Sequence, residues 1–508
     1  MDYKHGLSLF VQAEDYKRRQ SLVSLVDWSM SRLAVLDVKK GQWWPGGLKK
    51  VKLYGVLFGL TVAFLITASY VLSGDKKRLL LIPSGERTTG LNLSFAKDLA
   101  TLKQVVKNIV AKVEFNNRKV PDIKDLLGNE PHIFSAIPRK FLSTIKNPCW
   151  YEEHSGNSTV DPYGTNVYAL YSRRFQAVYS YLRKTFQEHL YNQGDKRYRL
   201  RCLPYFYIMG QPKCGTTDLY DRLRHHPDVR FTAMKEPHWW TRKRFGIIRL
   251  SEGFHARYPV KDYLDLLDLA AYQIQDHALS NRSKGRSKRN IVIGEASAST
   301  MWDNNAWVYF YDNGTQEEPP FLVQDFIHAV QPHAKFIVML RDPVERLYSD
   351  YLYFGLANKS AEDFHQRVSE SLQLFESCVS ASSMRSCVYN TTLNMAMPVR
   401  LQVGLYVIYI LDWLTVFSKE QILVLRLEDH ATNCKVTMHK VFDFLKLGAL
   451  SVEKEAEITK SPASNTRRPA DRNLGPMLPI TRDLLKYFYH PFNQRLAKVV
   501  QDKAFLWT

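Results

Sequence analysis

Cysteine is scarce, with six residues in a chain of 508. That density excludes a small scaffold built on disulfides. Glycine and proline number 24 and 22 and follow no period, which excludes a collagen-like or low-complexity chain. Acidic side chains are in deficit, 50 against 70 basic ones, leaving a net charge of +20. A surplus of that size favours an anionic partner: nucleic acid, a membrane surface or an acidic polymer. The apolar share is 45%, enough to offset ordering entropy, so a largely disordered protein is excluded as well. Internal repeats are absent.

Long uncharged runs are also rare. One, Leu53 to Ser73, holds 21 residues without a charge. At 1.5 Å per residue, a helix of that length spans a hydrocarbon core of ~30 Å. Ten Lys and Arg precede it in residues 1–52, against four in residues 75–90 (Lys76, Lys77, Arg78, Arg87). The bias predicts a single-pass, type II signal-anchor with residues 1–52 in the cytosol and everything after residue 73 in the lumen. Six Asn-x-Ser/Thr acceptors, at Asn92, Asn157, Asn281, Asn313, Asn358 and Asn390, all follow the run, as lumenal glycosylation requires. All six cysteines follow it too. Cys378 and Cys387 stand close enough to close a small loop, but connectivity cannot be read from sequence.

Residues 74–195 read as a polar stem with little pattern, followed by a helical extension. In that extension Tyr168, Tyr171, Phe175, Val178, Tyr179, Leu182 and Phe186 recur at helical spacing. Residues 196–508 read as the main domain. Short apolar runs at 203–209, 229–232, 291–294, 336–340 and 422–425 alternate with helical patterns at 217–225, 263–275, 344–354, 361–375 and 398–417. This alternation predicts an α/β fold, a parallel sheet flanked by helices, with ligands at the C-terminal strand ends. The basic Lys284–Arg289 stretch reads as a solvated surface loop, with contact to a polyanion as the alternative.

The first strand runs into Gly210-Gln-Pro-Lys213-Cys214-Gly215-Thr216-Thr217, then a helix. Small residues let the backbone wrap an anion, the helix N-terminus offers free N–H groups, and Lys213 adds a full charge. This is a phosphate cradle. It is not a Walker A loop, because Lys213 precedes the glycine where Walker A ends in Gly-Lys-Ser/Thr. A second element, Phe336-Ile-Val-Met-Leu-Arg341-Asp-Pro-Val-Glu-Arg346-Leu-Tyr-Ser349, delivers Arg341 to a strand end and Ser349 to the following helix. A guanidinium and a hydroxyl together suit a second phosphate.

Lys213-Cys-Gly-Thr-Thr followed by Arg341-Asp-Pro…Ser349 resembles the two cofactor motifs of the Golgi carbohydrate sulfotransferases. The resemblance runs over about residues 200–508, through Leu401-Gln-Val-Gly-Leu-Tyr…Trp413 and Tyr489-His-Pro-Phe-Asn493. It implies the P-loop-like sulfotransferase fold and use of 3′-phosphoadenosine 5′-phosphosulfate. Lys213, Cys214, Gly215, Thr216 and Thr217 would hold the 5′-phosphosulfate, and Arg341 and Ser349 the 3′-phosphate. The segment Thr459–Arg468 resembles the family's late cofactor loop, so Lys460 and Arg467 would close over the 3′-phosphate. The stretches PCWYEE, KEPHWWTRKRFG and GEASASTMWDNNAW are similar to a branch that acts on 4-sulfated N-acetylgalactosamine at its 6-hydroxyl. The implied acceptor is a sulfated glycosaminoglycan. Nucleic acid is not implied, Golgi membrane localisation is, and a homodimer is left open.

Sulfuryl transfer needs charge stabilised on the leaving phosphate and a base near the sugar hydroxyl. Lys213 serves the leaving side, and no metal is required. For the base, Glu236 in Lys235-Glu236-Pro-His238 matches the catalytic Glu of the related heparan sulfotransferases, and His238 is the rival, its ordinary pKa of ~6.5 suiting the task. Those enzymes tend to carry Asp where Thr241 stands and Lys where Ala296 stands, which implies a differently built sugar site. Candidates for sugar and sulfate contact are Trp239, Trp240, Arg242, Lys243, Arg244 and Glu295. Two other classes remain open. A nucleotide-dependent phosphotransferase is disfavoured by the misplaced Lys213. A non-catalytic polyanion-binding membrane protein leaves two phosphate motifs unexplained.

Overall fold

The computed structural model describes residues 88–156, 160–171, 173–248, 253–284, 291–312, 314, 316–355 and 359–508. Residues 99–508 form one compact unit. The proposed anchor, Leu53–Ser73, lies outside the described residues. Among the described residues, no helix is long and apolar enough to cross a membrane.

Among the described residues, eight strands build two sheets. A small antiparallel sheet has the order β1–β3–β2, from β1 Cys149–Glu153, β2 Tyr191–Gln193 and β3 Lys196–Cys202. Cys149 and Cys202 face each other in register and are bridged. The main sheet has β4 Phe206–Gly210, β5 Val229–Phe231, β6 Val292–Glu295, β7 Lys335–Leu340 and β8 Ile422–Arg426. Its order is β5–β6–β4–β7–β8, every pair parallel. The predicted strands are therefore present, each shifted at its ends by a few residues. β4 is buried throughout, which explains its uninterrupted apolar run. The chain moves from β4 to one side of the sheet and later to the other. That reversal marks the crevice where such sheets bind ligands.

The helices used below are α1 Thr88–Ala111, α2 Arg173–Thr185, α3 Thr216–Leu223, α4 Val260–Asp265, α5 Asp268–Lys284, α6 Pro343–Phe354, α7 Ala361–Ala381, α8 Tyr406–Trp413, α9 Val452–Lys460 and α10 Pro479–Val500. The stem corrects the sequence reading. Its Leu102, Val106 and Ile109 are buried at helical spacing on α1, a stripe too narrow to stand out among charged neighbours. Phe115, just beyond, meets Phe492 of α10 edge-on, with ring centres 6.0 Å apart. Two predicted helices are broken. The 263–275 pattern divides into α4 and α5 so that Asp265 and Asp268 can face Arg199 and Arg201 of β3 in a buried ion cluster; Arg201 Nη1 lies 2.8 Å and 3.0 Å from their carboxylates. The 398–417 pattern becomes a turn of 3₁₀-helix, Leu401–Gly404, followed by α8.

Cys378 and Cys387 form the second disulfide. Asn157, Asn313 and Asn358 lie outside the described residues, as do the side chains of Asn92 and Asn281 and the loop at 285–289. Asn390 is exposed, and its Oδ1 accepts the Leu393 N–H at 2.9 Å, capping Thr391–Ala396.

Candidate active site

The cradle forms because β4 ends where only a glycine fits. Gly210 has φ +139°, and a Cβ there would lie 2.4 Å from the Met339 carbonyl oxygen of β7. The loop then turns back through Lys213, itself left-handed at φ 71°, and Gly215 caps α3 at φ 87°. Left-handed backbone at a lysine is strained and is held here by its surroundings. The Thr216 and Thr217 hydroxyls make no hydrogen bond among the described residues, which leaves them to a ligand. Cys214 is different. Its thiol is fully buried in the core, and burial pushes its pKa up to about 12, so only its main chain faces the loop. Lys213 is half-buried, and burial lowers its pKa, opposed by the Asp350 carboxylate.

Arg341 arrives beside this loop through strand register, because Gly210 of β4 pairs with Met339 of β7. Asp342 caps α6 by accepting the Val344 N–H at 2.9 Å, and Pro343 opens the helix. Arg341 reaches toward the Lys213 carbonyl, 3.5 Å away, and stays partly exposed. Ser349 is partly exposed, with no hydrogen bond to its hydroxyl among the described residues. Arg346, between them, is fully buried beside Asp350 at 3.3 Å and serves the scaffold.

The late loop is tied to the cradle helix. Arg222 of α3 donates to the Ile458 and Ser461 carbonyls at 2.6 and 2.9 Å. Asp218 accepts the Ser464 N–H at 2.7 Å and also engages Arg222 and His430, each at 2.7 Å. Burial opposes ionisation of Asp218, but the His430, Arg222 and Ser464 donors overcome it and hold its pKa at about 2. Arg467 is exposed, its guanidinium 5.6 Å from the Tyr348 ring of α6. Lys460 is exposed at the end of α9. The sequence reading passed over Asp218 and Arg222, whose i, i+4 spacing was the available signal; the tie to residue 464 left none.

On the other side of β4, the segment after β5 carries Glu236 and His238, both left-handed at φ 57° and 51°. Lys235 Nζ donates to Glu236 Oε1 at 2.7 Å, and the Glu236 side chain is 35% exposed. His238 Nε2 stands 3.7 Å from Glu236 Oε2, while Nδ1 lies 2.7 Å from Ser299 Oγ. Burial, aided by Arg242, lowers the His238 pKa to about 4. This removes the advantage that its ordinary pKa gave it as a base.

Four of the proposed sugar contacts are corrected. Trp239 and Trp240 are 0% and 1% exposed. Trp239 Nε1 donates to the Tyr258 carbonyl at 2.9 Å and its ring stacks on Tyr263, so neither indole offers a face to a sugar. Arg244 is buried between Phe245 and Phe326, donating to the Trp240 carbonyl at 2.8 Å and to Glu130 at 3.2 Å. Glu295 lies buried at the end of β6, its carboxylate oxygens without a hydrogen-bond partner among the described residues, and burial raises its pKa to about 7. Arg242 remains partly exposed, paired with Asp303 at 2.6 Å, and Lys243 lies 5.1 Å over the Tyr258 ring.

Across the strand ends, then, two anion-binding elements sit on β4 and β7, and a carboxylate follows β5 beyond them. Group transfer from a doubly phosphorylated donor is the chemistry this layout suits. A family model described as a sulfotransferase domain matches residues 203–471. The chain belongs to the sulfotransferase family and is a sulfotransferase. Within the family its similarity is to carbohydrate sulfotransferases. Carbohydrate sulfotransferase 15 of Mus musculus is 59% identical over 507 residues, covering 94% of this chain and 90% of the relative. The Homo sapiens protein of that name is 58% identical with the same coverage. Among solved structures, a sulfotransferase from Alicyclobacillus acidocaldarius is similar at 21% identity and a TM-score of 0.37, covering 60% of this chain and 99% of that one.

Proposed function

We propose that this chain transfers a sulfuryl group from 3′-phosphoadenosine 5′-phosphosulfate to the 6-hydroxyl of N-acetylgalactosamine 4-sulfate in chondroitin or dermatan sulfate, giving 4,6-disulfated units. The observation that carries the reading is the Gly210–Met339 pairing, which sets the Lys213 loop beside Arg341. The donor supplies the SO₃ group and a phosphate leaving group. The Thr216 and Thr217 hydroxyls and the first N–H groups of α3 bind the 5′ end, and Arg341 and Ser349 bind the 3′-phosphate, with Arg467 and Lys460 closing from the late loop. The ammonium of Lys213 meets charge as it builds on the leaving oxygen. Glu236 takes the proton of the sugar hydroxyl. It is the better base by position, its side chain being 35% exposed against 23% for His238, whose Nδ1 is tied to Ser299. His238 orients Glu236 and holds its loop. Arg242 and Lys243 meet the anionic polymer.

The basic surplus suits that acceptor. The chain is further proposed as a Golgi membrane protein, anchored by residues 53–73, with a glycosylated lumenal domain, transferring sulfate without a metal. Transfer of labelled sulfate to desulfated, 4-sulfated and 6-sulfated chondroitin tests the reading. Incorporation at C6 of 4-sulfated units supports it. Incorporation at another hydroxyl overturns the acceptor, and a requirement for Mg²⁺ after EDTA treatment overturns the metal-free mechanism.

A further inference from the structure

Lys213 has an aromatic neighbour that the sequence did not single out. Its ammonium lies 3.8 Å from the centre of the Tyr353 ring, at the last turn of α6. That ring is 43% exposed and its backbone is clamped. Arg468 donates to the Leu352 and Tyr353 carbonyls at 3.0 and 3.1 Å, lies 5.1 Å over the same ring, and is paired with Asp471 at 2.8 Å. Lys359 also donates to the Leu352 carbonyl and to Asp471, the latter at 3.1 Å. The late loop thus fixes the end of α6, and the end of α6 presents a ring face to the lysine.

We propose that Tyr353 is a positioning residue for sulfuryl transfer, its ring face holding the Lys213 ammonium at the mouth of the cradle. The proposal rests on the reading of Lys213 as the group that meets the leaving oxygen. Four other charged groups face Lys213. Asp350 and Asp471 favour its charge, and Arg341 and Arg468 oppose it. Both carboxylates are already engaged, Asp350 by Arg346 and Arg400, and Asp471 by Lys359 and Arg468. No ion pair among the described residues reaches Lys213, which leaves the ring quadrupole as its contact partner. A cation over an aromatic face is stabilised more strongly as water is excluded.

Two variants separate the ring from its hydroxyl. Tyr353→Phe keeps the π-face, and Tyr353→Leu removes it. The Leu variant is expected to lose roughly 3- to 30-fold in kcat, the range that follows from a partly desolvated cation–π contact. Its KM for the donor should stay within about twofold, and the alkaline limb of its kcat–pH profile should move to lower pH as Lys213 gives up its proton sooner. The Phe variant should match the unsubstituted enzyme. Three results would overturn the proposal: a Phe variant as impaired as the Leu variant, which assigns the effect to the hydroxyl; a Leu variant unchanged in kcat and pH profile; or a Leu variant that raises only the KM of the acceptor, which makes the ring a sugar contact. Should the Leu variant melt early, Tyr353→Gln takes its place. Lys213→Ala is run alongside. A normal Lys213→Ala enzyme refutes the leaving-group reading itself, whereas a dead Lys213→Ala beside a normal Tyr353→Leu refutes only the positioning role.

Discussion

Replacing Asp218 with Asn removes one charge from beneath the cradle while keeping the shape of the side chain. The carboxylate is surrounded by donors: Arg222 Nε, the Ser464 N–H and His430 Nε2, each at 2.7 Å. An amide turns an N–H₂ toward at least one of them, leaving buried donors unpaired. The size of the effect follows from the pKa. Asp218 titrates at about 2 in the fold against an ordinary 3.8, a gap equivalent to about 2 kcal/mol at neutral pH. Because the folded pKa is the lower one, that contribution is complete above pH ~4 and is lost as pH falls toward 2. Urea unfolding at pH 7 should therefore place Asp218→Asn about 2 kcal/mol below the parent, with the difference shrinking between pH 4 and pH 2. The Ser461–Arg468 segment loses its tie to α3, so protease cleavage there should quicken. KM for the phosphosulfate donor should rise roughly tenfold, the equivalent of 1.4 kcal/mol of lost binding. A variant that unfolds with the parent at pH 7 and binds donor equally well would refute both the hub and its role in holding the loop.

Glu236→Gln should bind 3′-phosphoadenosine 5′-phosphate normally and lose roughly 10²-fold or more in kcat, while His238→Ala loses less; the reverse ranking, in steady-state assays, makes His238 the base. Trp240→Ala should cost about 3–5 kcal/mol of stability, as for a large core deletion, without a selective rise in acceptor KM, which thermal melts and kinetics separate. Arg242→Ala should raise acceptor KM, with the difference from the parent fading at high salt; a salt-independent change in kcat refutes a polymer-holding role. Glu295→Gln should stabilise the fold at pH 8 relative to pH 4. The raised pKa of about 7 means the parent loses stability as pH climbs from about 4.5 through 7, and the amide does not. Parallel melts across that window that show no divergence refute the buried acid.

The parallel sheet, the cradle and the Arg341–Ser349 helix were legible because each is written locally: a buried apolar strand, a glycine turn, then a capped helix start. The sugar side was not legible, because a Trp pair reads the same whether it lines a groove or fills a core. What decides is Tyr263 and Tyr258, more than 15 residues away, whose ring and carbonyl take up the Trp239 face and N–H. Arg244 misled for a related reason. A guanidinium among basic neighbours reads as surface until Glu130, supplied by the supposed stem, is seen to pair with it. His238 looked like a base on its ordinary pKa, which partial burial and the neighbouring Arg242 lower. Tyr353 escaped notice because its partner Lys213 lies 140 residues earlier.

The contact between Phe115 and Phe492 sets a schedule for how the enzyme is made. The two rings that meet 6.0 Å apart in the finished molecule leave the ribosome roughly 380 residues apart, a delay of about 20–75 s at ordinary synthesis rates. Through that interval the segment around Phe115 has no native partner on α10. The fold cannot be completed from its N-terminal end as it emerges, since a wall of its core, α10, is made so much later. Closure of such distant pairs is slow and leaves apolar surface open to misassociation, so yield in a cell should depend on how well that waiting segment is shielded.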